Sequence, residues 1–140
     1  MKRNAFFAAA ILSMAFPVSS LAATMYTADL KGSQEVPANA SKGTGSASLS
    51  YDAATKKLTW KVTYSGLSGP ATAAHIHGPA DAGKDAPVEI KFASPASPIE
   101  GSATLTDEQA KDLEGGKMYV NVHTAEHKGG EIRGQVMPAK

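Results

Sequence analysis

The sequence predicts an all-β domain, a sandwich or partly open barrel that carries one short helix. Two neighbouring runs, residues 44–52 and 57–67, alternate apolar and polar side chains as half-buried strands do. The polar segment between them, DAATKK, is typical of a turn, so the two runs are expected to pair as an antiparallel hairpin. A different pattern occurs in TDEQAKDLEGG, which carries the signals of a helix.

The remaining strands follow from shorter patterns. A first strand is predicted at residues 25–32, short strands at 87–93 and 101–106, and a final hairpin within 117–137. No segment of the sequence repeats at a period of 20 to 50 residues, so the chain is not expected to be a repeat protein.

The predicted helix is delimited by its end residues. Thr106 is a suitable N-cap, Gln109 completes a capping box three residues later, and Gly115 ends the helix. In the first arm of the final hairpin, the alternation of side chains puts Asn121 and His123 on the same face.

The first 22 residues have the three parts of a secretory signal peptide. Lys2 and Arg3 form a basic start, AFFAAAILSMAF is an apolar centre, and Ser20 and Ala22 are the small residues that precede cleavage. The apolar run is shorter than the roughly 20 residues of a membrane span. We therefore expect cleavage after Ala22 and an exported domain, residues 23–140, that lies in the periplasm or outside the cell and has no membrane span.

The composition after cleavage argues against a nucleic-acid-binding protein and against a domain that is stabilised by disulfide bonds. Loss of Lys2 and Arg3 leaves 12 basic and 13 acidic residues, so a nucleic-acid partner has no electrostatic support. The chain contains no cysteine, so an exported domain of this size must be stable without disulfide bonds.

All four histidines lie at predicted strand ends or in adjoining loops. His75 and His77 form an H-x-H motif, and residues two apart in a strand share a face at a spacing of about 7 Å. His123 ends another strand, and His127 follows in the loop. We expect these imidazoles to bind a metal, copper(II) first and zinc second, because nitrogen ligands favour those ions over Ca²⁺ or Mg²⁺. The alternative is that they are polar strand-end residues bonded to loop carbonyls.

Four segments of the chain occur in the order of a known module: ADLKGSQEVPA, YSGLSGPATAAHIHGPA, ATLTDEQAKDLEGGKMY and YVNVHTAEHKGGEIRGQV. Together they resemble a CHRD domain, which is named from chordin and is also found alone in exported bacterial proteins. The resemblance implies an extracytoplasmic, immunoglobulin-like or similar β fold and leaves the activity open. The family pattern covers six positions: Glu35, His75, His77, His123, Glu131 and Arg133. It departs at His127 and Lys128, where Asn and Pro are expected, so any role of His127 is particular to this chain.

A fainter likeness concerns the histidines. An H-x-H, a later strand-end histidine and a Gly-Gly loop that leads to an arginine are similar in order to the copper site of Cu/Zn superoxide dismutases. The cysteines and the zinc loop of those enzymes are absent from this sequence, so the likeness concerns geometry and not activity. The two resemblances imply an immunoglobulin-like or Cu/Zn superoxide dismutase-like Greek-key sandwich or barrel.

Several other side chains have two interpretations each. Arg133 is the only arginine after cleavage, and a structural pair with Glu35 or Glu131 is favoured over an anion site. Glu35 either orients a ligand imidazole or fixes a loop through backbone amides. Three methionines are either thioether ligands for copper or core residues, with the core favoured: Met25, Met118 and Met137.

The function that these residues favour is a periplasmic or secreted metal-binding protein that acts in copper buffering or handling, with the metal ion as its partner. The sequence has no Cys nucleophile, G-x-S-x-G or H-E-x-x-H motif, which favours a protein that is not an enzyme. The alternatives are a non-catalytic extracellular binding or adhesion module with structural histidines, and a copper-dependent enzyme similar to superoxide dismutase. With ordinary imidazole pKa values, metal binding is expected to weaken as the pH falls through about 6.5.

Overall fold

The computed structural model of the protein describes residues 22–140, which form one antiparallel sheet of nine strands and one α-helix. The predicted signal peptide, residues 1–22, lies outside the described residues apart from Ala22. Within the described part of the chain, no helix is both long and apolar enough to cross a membrane. The elements are, in chain order, β1 Thr24–Lys31, β2 Thr44–Asp52, β3 Lys57–Ser65, β4 Ala71–His77, β5 Val88–Lys91, β6 Ile99–Thr104, α1 Asp107–Glu114, β7 Tyr119–Thr124, β8 Ile132–Gln135 and β9 Met137–Pro138.

The strand order in the sheet is β5-β4-β7-β8-β1-β2-β3-β6, and β9 pairs with β1. β1, β2 and β3 are neighbours both in sequence and in space, whereas β4 pairs with β7 and β3 pairs with β6 across long connections. The sheet curls, so that the rings of Trp60 in β3 and Phe92 just after β5 lie 5.0 Å apart. This curled half-barrel with one short helix confirms the predicted all-β fold class.

The hydrophobic core lies on the inner face of the curled sheet. Leu58, Trp60 and Val62 of β3 are buried there, as the alternation of that strand predicts, while Tyr64 at the end of the strand is only partly buried. Burial of each large apolar side chain stabilises the fold by about 1.5–3 kcal/mol. The core replaces the disulfide bonds that the chain cannot form.

The helix α1 closes one end of this core and has the predicted ends. The Thr106 hydroxyl accepts from the backbone N–H of Gln109 at 3.1 Å, and the Gln109 side-chain oxygen accepts from the backbone N–H of Thr106 at 3.0 Å. This reciprocal pair is the capping box expected from the sequence. Gly115 follows the last helical turn, and Leu113 is fully buried in the core.

Strands β4, β7 and β8 carry polar side chains on their outer face, and part of this face is buried as well. Tyr119, Asn121 and Arg133 are all buried there because residues 78–87, between β4 and β5, fold across this face. Ala86 in this segment contacts the Tyr119 hydroxyl through both its backbone N–H and its carbonyl. A polar layer that is covered in this way must pair its donors and acceptors internally. We refer below to these polar side chains, together with Gln135 of β8, which bonds to Ala80 of the same segment, as the outer polar layer.

Gly134 in β8 permits the close approach of β1. A Cβ atom at Gly134 would lie 2.2 Å from the backbone oxygen of Asp29, so Gly134→Ala must push the two strands apart. We expect this variant to lose about 3 kcal/mol of unfolding free energy, as overpacked sites do, measured by urea denaturation. Gly129→Ala is the control, because a Cβ there meets nothing within 4 Å. Equal destabilisation of the two variants would contradict the close packing of β1 on β8.

Candidate metal centre

Three imidazoles come together on the outer face of β4 and β7. His75 lies opposite Asn121 in the strand register, and His77 and His123 lie two residues further along their strands. The ring centroids are 5.5 Å apart for His75 and His77, 4.9 Å for His75 and His123, and 6.3 Å for His77 and His123. One potential ligand atom from each ring lies within 4.8 Å of the other two. Nitrogen atoms at such distances can ligate one metal ion.

Backbone carbonyls orient two of the three rings. His77 Nδ1 donates to the Ala86 carbonyl at 2.9 Å, and His123 Nδ1 donates to the Lys128 carbonyl at 2.8 Å. A neutral imidazole has one donor and one acceptor nitrogen, so Nε2 of both rings carries a lone pair. The Nε2 of His123 lies 3.1 Å from Nδ1 of His75, inside the cluster. Metal-binding histidines are commonly oriented by such a hydrogen bond from the nitrogen that does not bind the metal.

Packing against Tyr119 fixes His77 further. The two rings are stacked, with centroids 4.8 Å apart and an interplanar angle of 3°. The guanidinium carbon of Arg133 lies 3.9 Å from the centroid of the Tyr119 ring. The imidazole of His77 is buried in this stack, whereas those of His75 and His123 are half-buried and reachable from solvent. The cluster therefore combines one rigid ligand candidate with two that a metal ion can approach.

Arg133 links the outer polar layer to two loops. Its Nε lies 3.4 Å from a carboxylate oxygen of Glu35, and its Nη2 donates to Asp85 at 2.6 Å. Its Nη1 donates to the Lys84 carbonyl at 2.9 Å. The sequence predicts a structural pair of Arg133 with Glu35 or Glu131, and the structure places Glu35 beside the arginine. Burial raises the pKa of Glu35 to about 7, against the lowering effect of the Arg133 charge. Glu35 thus contacts the arginine rather than orienting an imidazole.

Burial favours the neutral form of two of the imidazoles, those of His75 and His77. Desolvation, together with the neighbouring His123, His77 and Lys91, lowers the pKa of His75 to about 4. Desolvation also lowers the pKa of His77, although two hydrogen bonds to its ring oppose this change. Both side chains therefore keep a free lone pair at pH values that protonate an exposed histidine. Proton competition for a bound metal is then expected below the pH of about 6.5 that the sequence suggests.

His127, the fourth histidine predicted to bind metal, is not part of the cluster of three. Its Nε2 lies 4.0 Å from the carboxylate of Glu131, and its backbone N–H donates to the Thr124 hydroxyl. Among the methionines, the core interpretation holds for one residue, since Met118 is fully buried while two others are 46% and 49% exposed: Met25 and Met137.

Glu131 is a fully buried carboxylate that directly precedes β8. Ser41 Oγ donates to it at 2.7 Å, the Ser68 N–H donates at 2.9 Å, and Thr124 Oγ1 donates at 2.8 Å. The Ser68 hydroxyl donates as well. Burial alone raises the pKa of this carboxyl, but the hydrogen bonds from Ser68, Ser41 and Thr124 outweigh burial and hold the pKa at about 2. Glu131 is therefore an ionised anchor that joins three segments of the chain.

Two features of the site were missed from the sequence: Asn121 and the covering segment 78–87. Asn121 is 1% exposed, and its Oδ1 lies 3.0 Å from Nε2 of His77 and 3.1 Å from Nε2 of His123. A signal for Asn121 was present, because alternation places it on the same face as His123. The covering segment gave no such signal, since the residues it contacts are distant in sequence.

Comparison with protein families finds a match over most of the chain. The sequence model of the CHRD domain matches residues 26–136, a range that includes the three clustered histidines and Asn121. No curated protein is similar enough to count as a match, and no solved structure is either.

The imidazole of His75 is expected to stay neutral in the metal-free protein until the pH falls to about 4, because desolvation opposes its protonation. NMR titration of the histidine ring resonances measures this, and the spectrum of His75→Gln identifies the signal that belongs to His75. A midpoint near the ordinary value of about 6.5 would show that the three rings do not pack as described.

The Glu131 carboxylate is expected to make stability depend on acidic pH. Its pKa is about 2 in the folded chain against the usual 4.5, so the folded state binds fewer protons than the unfolded state. The stabilisation is present above about pH 4.5 and is lost as the pH falls toward 2. Glu131→Gln should lose about 3 kcal/mol of unfolding free energy at neutral pH and show a flatter acid profile, measured by denaturation across pH.

The control for this prediction is Glu126→Gln, which removes one carboxylate from the same loop region at an exposed position. It should change stability by less than about 0.5 kcal/mol. Parallel pH profiles for the Glu131 and Glu126 variants would show that Glu131 is not the anchor of this end of the molecule.

Proposed function

The chain belongs to the CHRD domain family, and we propose that it is a periplasmic or secreted protein that binds copper(II) in metal buffering or handling, with zinc as the second-choice ion. The CHRD domain indicates an extracellular β-domain. The proposed ligands are His75, His77 and His123.

The observation that carries this proposal is the convergence of three imidazoles whose ring nitrogens lie within 4.8 Å of one another. Copper(II) stands highest in the affinity order of divalent ions for nitrogen ligands, and zinc shares the preference for imidazole. The two hydrogen bonds from His77 and His123 to backbone carbonyls support the proposal, because they orient the rings before any metal arrives.

Buffering or transfer of metal is supported by the difference in exposure among the ligands. His77 is buried and rigid, while His75 and His123 are half-buried. A metal ion can therefore enter and leave past two of the three rings without unfolding of the covering segment. An ion held in this way is retained but remains exchangeable, which a buffering or handling protein needs.

A second candidate is a non-catalytic extracellular binding or adhesion module. The same two hydrogen bonds favour it, because His77 fastens the segment 78–87 and His123 fastens the loop after β7. In this role the imidazoles stabilise two loops that a partner recognises, and no metal is needed.

Copper(II) titration of the mature domain separates the two candidates. His75→Ala, His77→Ala and His123→Ala should each weaken copper binding by about 100-fold or more, because each removes a ligand, whereas changes outside the ligand set usually cost 10–100-fold or less. His127→Ala is the matched control, and it should change the affinity by less than about threefold because its ring lies beside Glu131. Equal, weak binding by all five proteins would favour the binding module.

The metal content of the exported protein gives an independent test. Protein expressed with its leader and without a histidine tag is expected to contain close to one copper ion per chain by elemental analysis. Thermal melting should then shift upward on addition of copper, because the unfolded chain cannot hold the three ligands together. Metal-free protein whose melting temperature does not respond to copper would contradict the proposal.

A further inference from the structure

Asn121 is a buried polar side chain in the centre of the histidine cluster. It is 1% exposed and lies opposite His75 in the pairing of β4 with β7. Its Oδ1 lies 3.0 Å from Nε2 of His77 and 3.1 Å from Nε2 of His123. Buried carboxamides normally satisfy their oxygen with hydrogen-bond donors. Whether these two nitrogen atoms are donors depends on the other bonds of each ring.

Both rings offer Asn121 a lone pair rather than a hydrogen. His77 gives its Nδ1 hydrogen to the Ala86 carbonyl, and His123 gives its Nδ1 hydrogen to the Lys128 carbonyl. A neutral imidazole has one N–H group, so Nε2 of each ring is an acceptor. Asn121 Oδ1 is an acceptor too. Asn121 Oδ1 therefore faces two lone pairs at 3.0 and 3.1 Å, an arrangement that is relieved either by a cation among the three atoms or by a half-turn of the carboxamide.

We propose that Asn121 Oδ1 is the fourth ligand atom of the metal centre, beside Nδ1 of His75 and Nε2 of His77 and His123; this assignment rests on the proposed function. In the metal-free protein, the same side chain can satisfy both imidazoles by hydrogen bonding. A half-turn of the carboxamide places its NH₂ group toward both imidazole lone pairs and gives each of them a donor.

The spacing of neighbouring ligand atoms is compatible with copper(II). From His75 through His123 and Asn121 to His77, successive ligand atoms are separated by 3.1, 3.1 and 3.0 Å. For metal–ligand bonds of about 2.0–2.1 Å, these separations correspond to angles of about 90–100° between neighbouring bonds. Such angles are close to those of a tetragonal copper(II) site and smaller than the roughly 109° of tetrahedral zinc.

A centre of three nitrogens and one oxygen also refines the proposed function. With Asn121 in place, this chain supplies four ligand atoms to the proposed copper ion, three nitrogens and one oxygen. The carboxamide is a neutral and weak ligand, so it can leave when the ion is passed on. This combination suits exchange of copper.

The test compares copper(II) affinity and the electron paramagnetic resonance spectrum of the mature wild type with those of two Asn121 variants. Asn121→Leu keeps a similar volume but offers no oxygen. Affinity should fall by about tenfold or more, less than on loss of a histidine because a carboxamide is a weak ligand. The copper hyperfine splitting should change as well, and this change distinguishes loss of a ligand from loss of a hydrogen bond. Asn121→Asp keeps an oxygen in place and should bind copper at least as tightly as the wild type.

Gln135→Leu is the matched control. It removes another carboxamide from the outer polar layer, one that donates to the carbonyls of Ala80 and Gly116 rather than to a histidine. Copper affinity and the spectrum should be unchanged in this variant.

The outcomes separate the two proposals. Wild-type affinity and spectrum in Asn121→Leu would overturn the assignment of Asn121 and leave the centre of three histidines intact. Failure of the wild type to bind copper would overturn both. Circular dichroism shows whether Asn121→Leu folds; if it does not, Asn121→Asp decides, because weaker binding by that variant overturns the assignment.

Discussion

The buried carboxylate of Glu131 holds the loop after β7, on which the orientation of His123 depends. An ionised group without solvent contact is stable only when its oxygens are paired, and donors from three separate segments pair them: Ser41, Ser68 and Thr124. The Thr124 hydroxyl, which donates to Glu131, also accepts from the backbone N–H of His127 and so fixes the loop after β7. The same loop presents the Lys128 carbonyl to His123. A chain of hydrogen bonds thus connects the anchor to an imidazole of the candidate metal centre.

The outer polar layer orients His77, on the other side of the centre, through the covering segment and the stacked ring of Tyr119. There the covering segment 78–87 lies over β4, β7 and β8, and Arg133 connects this segment to Glu35 and to the face of Tyr119. Tyr119 in turn stacks on His77. A hydrogen bond and stacking hold the ring of His77, and removal of solvent keeps the lone pairs of His75 and His77 free of protons. Both effects reduce the cost of assembling the proposed metal centre.

The interpretation as a metal centre and the interpretation as a structural cluster rely on the same hydrogen bonds. They differ at Asn121, where an oxygen faces two nitrogen lone pairs. A purely structural cluster is satisfied by turning the carboxamide, whereas a metal centre uses the oxygen as it is placed. The dismutase likeness is limited to the order of the motifs.

The sequence by itself determined most of the elements and the chemistry available to them. Alternation located β2 and β3, the capping box located α1, and the H-x-H placed His75 and His77 on one face, because these patterns depend on residues close together in the chain. Only the tertiary structure decided which histidines meet. The pairing of β4 with β7 spans more than 40 residues and brings His123 to the H-x-H, while His127, four residues further on, lies beside Glu131 instead. The covering segment and the role of Asn121 likewise depend on which strands become neighbours, and local residue patterns carry no information about contacts between distant segments.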